Sequence, residues 1–211
     1  MARRFLEIAF TPAVLAAQER LYGRSRPVSG AAEVDPLGAR EQEYIASRDS
    51  FYMATVSQTG WPYLQHRGGP PGFLHVLDPT TLAFADYEGN RQMITAGNLS
   101  ADDRVSLFLM DYPNRRRLKI FGRARFEDAT GDGDLLLRLS QSEGGALVDR
   151  VVVIDVESFD WNCPQYITPR FTESEVEAKL RTLRLRIAEL EARLEPAGGA
   201  RSEHQRPEPN P

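Results

Sequence analysis

Through the middle of the chain, apolar and polar residues alternate with a period of two. Phe51 to Ser57, Trp61 to Arg67 and Thr81 to Asp86 are short runs with β-branched or aromatic residues. They are broken by Gly60, by Gly68-Gly69-Pro70-Pro71-Gly72 and by Asp78-Pro79, so the pattern predicts strands. In Arg117 to Phe126 the positions Leu118, Ile120, Gly122, Ala124 and Phe126 share one face, and Arg117, Lys119, Phe121, Arg123 and Arg125 share the other. One face is core, and the other meets water or an anion. Arg104 to Met110 and the apolar run Arg150 to Val156 bring the expected strands to about six. Strands of this kind with only short helices between them predict a mainly β (α+β) molecule, a small antiparallel barrel rather than a doubly wound sheet.

Helical spacing appears at the edges of that block. Thr11 as cap, Pro12 at the first helical position and Gly23 as terminator predict a short helix, with Val14, Leu15 and Leu21 packed on the barrel. A second is expected over Ala39 to Arg48 with Tyr44 and Ile45 buried, and a third over Asp132 to Ser140. Between strands, Asn90 is placed to cap a helix carrying Met93, Ile94 and Leu99. From Thr172 a capping box with Glu175 opens an amphipathic helix. Its Val176, Leu180, Leu183, Ile187, Leu190 and Leu194 alternate at spacings of four and three, the seam of a short coiled coil or of a helix laid in a groove. The expected organisation is a helical extension over 1–48 packed on the barrel, a barrel over 49–170, a C-terminal helix over 171–196 and a disordered, proline-rich tail over 197–211.

Composition removes classes rather than choosing one. A formal charge of −4 gives no bulk attraction to nucleic acid. No apolar run approaches the roughly 20 residues that span a bilayer. Met1-Ala2-Arg3-Arg4 leads into a segment charged too soon for a secretory signal. A single cysteine, Cys163, forms no internal disulfide, and a cytoplasmic protein is expected. The histidines are His66, His75 and His204, without carboxylate or cysteine at ligand spacing, so no metal site is expected.

Two short pieces could carry chemistry. Gly89-Asn90-Arg91-Gln92 sits where a strand ends and a helix begins, so backbone N–H groups, an amide and a guanidinium would converge on a point that suits a phosphate. The same residues also describe a capped helix with a solvated arginine. Gln65-His66-Arg67-Gly68-Gly69 runs a polar strand into glycines, where a flat ring can approach the backbone and meet its N–H groups. It also describes an ordinary glycine-rich loop. Arg115-Arg116-Arg117 alone reads as solvated surface.

Taken together, the pieces resemble the pyridoxamine 5'-phosphate oxidase-like family of FMN-binding split β-barrels over about residues 47 to 170. The resemblance is closest in FADYEGNRQMITAGNLSADDRVSLFLMD and RRRLKIFGRARF. It implies that Gly89, Asn90, Arg91 and Gln92 hold the FMN phosphate, with Gln92 where the family has a second basic residue. It places His66 and Arg67 at the edge of the flavin ring and Arg117 beside the isoalloxazine. It also implies a homodimer with cofactor at the subunit contact, reached by the segment carrying Trp161, Asn162 and Gln165. The family's arginine-and-histidine grip on a substrate phosphate is replaced here by WNCPQYITPR, which resembles a related subgroup rather than the oxidase that makes pyridoxal phosphate. The implied activity is an FMN-dependent oxidoreductase acting through flavin N5 on a small-molecule substrate with a separate reductant, and no side chain is assigned to proton transfer. Alternatives on the same fold are a non-catalytic FMN- or haem-binding protein, with His66 or His75 as haem ligand, and an F420-dependent reductase with Arg115 and Arg116 near the cofactor's tail.

Overall fold

In the computed structural model, residues 3–87, 91–128, 139, 148–161 and 163–194 are described. The chain forms two compact units, Met1–Pro169 and Arg170–Pro211.

The first unit is built on seven antiparallel strands: β1 (Ser50–Val56), β2 (Pro62–Gly68), β3 (His75–Asp78), β4 (Thr81–Tyr87), β5 (Arg104–Asp111), β6 (Arg116–Asp128) and β7 (Val148–Trp161). Their order in the sheet is β2-β1-β5-β6-β7-β4-β3. The sheet curls on itself. Phe51 on β1 meets Phe84 on β4 with ring centroids 5.4 Å apart, although three strands separate β1 from β4 in the ladder. The inward faces of β1, β4, β5, β6 and β7 therefore share one core, including Phe51, Met53, Leu82, Leu107, Leu118, Ile120 and Ile154. This is the small antiparallel barrel expected from the pattern, of the split kind that the resemblance implies, and Leu118, Ile120, Gly122 and Ala124 are its buried face on β6.

Two strands differ from the expectation. The short β3 is too brief to show a period, and β7 continues through Trp161, five residues past the apolar run. Trp161 is thus a strand residue paired with Leu118, not the start of a connector. The β6–β7 ladder slips by one residue. Phe121 faces Ser158 and Gly122 faces Val156, so Glu157 has no partner across the ladder. A Cβ on Gly122 would stand 2.6 Å from the Asp155 carbonyl oxygen, which is why this position is glycine.

Glu157 serves as a fastening point for the N-terminal segment. Its carbonyl accepts from the Asp35 N–H at 3.0 Å, and its carboxylate meets Arg123 at 2.7 Å and Arg4 at 3.8 Å. Arg4 belongs to α1 (Arg3–Ala9), a short helix whose buried Phe5 stacks on Phe121 at 4.5 Å. α2 (Pro12–Tyr22) carries the expected Thr11 cap and ends at Gly23 with φ 66°. It buries no residue fully: Val14 and Leu15 are half-buried, while Leu21 is exposed and does not pack as expected.

α3 (Ala39–Ala46) buries Tyr44 and Ile45 as expected. The Tyr44 hydroxyl donates between the carbonyl oxygens of Leu109 and Arg116, 3.2 Å from each. Nearby Asp111, 1 % exposed, accepts from the Asn114 side chain and backbone and from Arg116 at 3.1 Å, with Arg48 at 3.7 Å. These contacts pin α3 to the β5–β6 turn. The helix expected over 132–140 lies outside the described residues except Leu139, which is buried with Ala83, Val151 and Val153.

α4 (Ile94–Ala101) follows β4. The second unit contributes α5 (Glu173–Leu194), opened by the expected capping box: Glu175 N–H donates to Thr172 Oγ1 at 3.3 Å, and Thr172 N–H donates to Glu175 Oε2 at 2.8 Å. The tail expected to be disordered lies outside the described residues. Among the described residues no helix is long and apolar enough to cross a membrane.

Candidate functional site

Curling brings the edge strand β2 across the mouth of the barrel toward β4 and β7. Alternation along β2 turns Tyr63, Gln65 and Arg67 inward, and turns Pro62, Leu64, His66 and Gly68 outward. On β4 the inward set is Leu82, Phe84 and Asp86, so a carboxylate stands where two large apolar residues precede it. Asp86 is 7 % exposed and is held from both sides. Arg67 Nη1 donates to Oδ1 at 2.9 Å, and Arg150 Nη2 donates to Oδ2 at 3.1 Å. A buried carboxylate needs such partners, because leaving it unpaired costs several kcal/mol, roughly 3–5.

The network continues into α4. Arg67 Nη2 donates to Thr95 Oγ1 at 3.3 Å, and that hydroxyl donates to Gln65 Oε1 at 3.1 Å. The guanidinium of Arg67 lies 5.7 Å from the Phe84 ring centroid and that of Arg150 lies 4.8 Å from Phe126. Both arginines are therefore positioned by packing as well as by charge. The Nε–H of Arg67 is buried and has no acceptor among the described residues.

The segment entering α4 has an unusual backbone. Arg91 has φ 59° and Met93 has φ 54°, both in the left-handed region that side chains disfavour. Met93 occupies the cap position without a side-chain hydrogen bond, so the first turn of α4 keeps its amide dipoles pointed out of the helix end. The helix expected after Asn90 begins at Ile94, with Met93 at the cap position, and Asn90 itself lies outside the described residues. Two non-glycine residues at positive φ cost on the order of 1 kcal/mol or more each, and such conformations collect where a ligand is held.

These elements enclose an open cleft with about 540 Å³ of empty space, some of it continuous with solvent. Its walls come from β2, the end of β4, the 91–93 turn, the first turn of α4, Phe126 on β6 and Arg150 on β7. Arg67 and Arg150 bracket Asp86, the one carboxylate among the described lining residues, and Arg91 lines the same cleft. The arrangement suits an anion with several acceptor oxygens.

Of the residues singled out in the sequence, Gln65, Arg67, Arg91 and Gln92 line this cleft together. The two short pieces read separately from the sequence thus meet in space. His66 lies on the outward face of β2, with its ring 5.5 Å from Tyr52. Gly68 ends that face, and the Gly69 N–H, expected to be free for a ring heteroatom, donates to the Asp49 carbonyl at 2.9 Å. Arg117 lies on the outer face of β6 over Phe108, at 5.9 Å. Trp161 is engaged within the chain: its Nε1 donates to Glu41 at 2.6 Å and its ring meets Tyr44 edge-on at 4.7 Å. Gln165 is exposed. Asn90 and Asn162 lie outside the described residues.

Asp86, Thr95 and Arg150 were missed from the sequence. Asp86 carried a signal, since it breaks the apolar face Leu82-Phe84. Arg150 carried none, because only the β4–β7 register sets it opposite Asp86.

A family model described as pyridoxamine 5'-phosphate oxidase matches residues 37–192 of the 211. No curated protein matches the chain. Similar solved structures include HupZ of Group A Streptococcus, 16% identical, covering 64% of this chain and 99% of its own with a TM-score of 0.49. A putative pyridoxamine 5'-phosphate oxidase from Lactobacillus delbrueckii is 19% identical, covering 59% and 93% with a TM-score of 0.47. An F420 reductase is 21% identical, covering 56% and 94% with a TM-score of 0.42.

Proposed function

Because this chain belongs to the pyridoxamine 5'-phosphate oxidase family, we propose that the arginine-lined cleft binds the phosphate end of a flavin or deazaflavin and that the protein is an oxidoreductase. The observation that carries this reading is the meeting of Gln65 and Arg67 with Arg91 and Gln92 in one cleft. The donor set fits a phosphoryl group: the guanidiniums of Arg67, Arg91 and Arg150, the first turn of α4, and an Arg67 Nε–H without an acceptor among the described residues.

In this reading Arg91 and Arg150 neutralise the anion. Asp86 holds Arg67 and Arg150 at a fixed spacing, so that little ordering is left to binding. Thr95 fixes the Gln65 amide, and Tyr63 and Phe126 give the cleft apolar walls. A bound flavin would supply hydride or electron acceptance at its ring, chemistry that asks the protein mainly for position and water exclusion. None of the side chains lining the cleft is a histidine, which leaves haem ligation there without support. The same reading makes the protein a cytoplasmic homodimer, supported by its lone cysteine and by the exposure of Leu64 and Tyr52 on the outer face of β2 and β1.

The purified protein should show flavin or deazaflavin absorbance, and mass spectrometry of the molecule released on denaturation should identify which. A colourless protein that takes up neither FMN nor F420 would remove the proposal. Arg91→Ala should weaken retention by about 10- to 100-fold, the value of one hydrogen bond to a charged group. Unchanged retention would deny Arg91 its role.

A further inference from the structure

We propose that α5 is a dimerisation element in its own right, pairing in parallel and in register with α5 of a second copy. This goes beyond the cofactor reading and does not depend on it.

Val176, Leu180, Leu183, Ile187, Leu190 and Leu194 fall at alternating d and a positions of three heptads. All six are exposed, from 40 % at Leu180 to 80 % at Leu194, and no residue of α5 is buried. A helix that covers a globular core needs a broad apolar face, whereas a strict two-position stripe is the narrower seam of helix on helix. Among the described residues no other helix exceeds 11 residues, so they offer no second helix of matching length. The occupant is a second α5.

Flanking charge sets the direction. The g positions are Lys179, Arg186 and Arg193, and the e positions are Glu177, Arg184 and Glu191. In an antiparallel pair g meets g and e meets e. Lys179 would then face Arg193, Arg186 would face its twin, Glu177 would face Glu191 and Arg184 would face its twin, so every flanking contact is repulsive. In a parallel pair g meets the e position of the next heptad. Arg186 then faces Glu191 of the second copy and Lys179 faces Arg184, each contact made twice by symmetry, so attraction offsets repulsion where the antiparallel pair is repulsive throughout. Like charges at these positions select against a pairing as effectively as opposite charges select for one. Ile187 at a, between Leu183 and Leu190 at d, suits two strands.

The test uses the full chain with Cys163→Ser, to which Val176→Cys is added. In a parallel pair the two d positions approach to about 6 Å between Cα atoms, within disulfide reach. Mild oxidation should convert most of the protein to a covalent dimer, at least about tenfold faster than Leu185→Cys in the same background, since Leu185 occupies the outward f position. The proposal is overturned if the Val176 variant stays monomeric or cross-links no faster than the Leu185 variant. It is equally overturned if the Val176 variant cross-links only when mixed with a Leu194→Cys chain, which is the antiparallel outcome. A pair formed by the barrels alone gives no difference between positions 176 and 185, so it is separated from pairing through α5.

Discussion

Asp111 shows how one buried carboxylate answers to its surroundings. Burial by itself would raise its pKa, but hydrogen bonds from the Asn114 side chain and backbone and from Arg116, with the charge of Arg48, hold it below the ordinary carboxylate range. A group whose folded pKa is depressed binds fewer protons folded than unfolded. Its contribution is complete above the unfolded value near about 4 and is lost as pH falls through the folded value. Asp111→Asn should therefore destabilise the protein by about 1–3 kcal/mol at pH 7, and the gap from wild type should shrink at pH 3. Urea midpoints at the two pH values measure it, and an equal gap at both would refute the assignment. Residues of this kind are hard to read in sequence. Arg67 and Gln65 were legible because alternation along one strand assigns them a face, whereas the partners of Asp86 come from other strands, 19 positions away for Arg67 and 64 for Arg150.

At the scale of elements, period served where an element was long enough to show one. The buried face of β6 and the capping box of α5 could be read from the residues that form them. β3 could not, having four residues, and α4 began late because the 91–93 turn takes left-handed backbone that no composition announces. The slip between β6 and β7 was likewise invisible, though its glycine was not. Gly122→Ala should cost about 1–3 kcal/mol or more, because the new Cβ would meet the Asp155 carbonyl at 2.6 Å and Ile154 Cγ2 at 2.9 Å, and the carbonyl belongs to the ladder. Equilibrium urea unfolding reads this directly. A variant within about 0.5 kcal/mol of wild type would mean that the bulge relaxes without loss.

For the whole molecule, closure of the sheet makes the site: β2 and β4 are distant in the ladder, and only curling sets Arg67 against Asp86. A sequence reading could anticipate a barrel and two anion-friendly corners, yet the meeting of those corners is a property of closure. The N-terminal segment is fastened to the sheet at Glu157 as well as by Phe5 on Phe121. Glu157→Ala removes the contacts to Arg4 and Arg123, each worth about 0.2–1 kcal/mol at a partly exposed site. Trypsin should then cut after Arg24 several-fold faster, with the barrel intact by circular dichroism. Cleavage at the wild-type rate would show that the α1 stacking on Phe121 suffices.

Because the residue left over by the slipped ladder also holds Arg4 and Asp35, sheet alignment and part of the leading segment's attachment meet at one position. A β7 strand that moved one step into phase would draw Glu157 into the pairing and let go of Asp35 and Arg4 in the same motion.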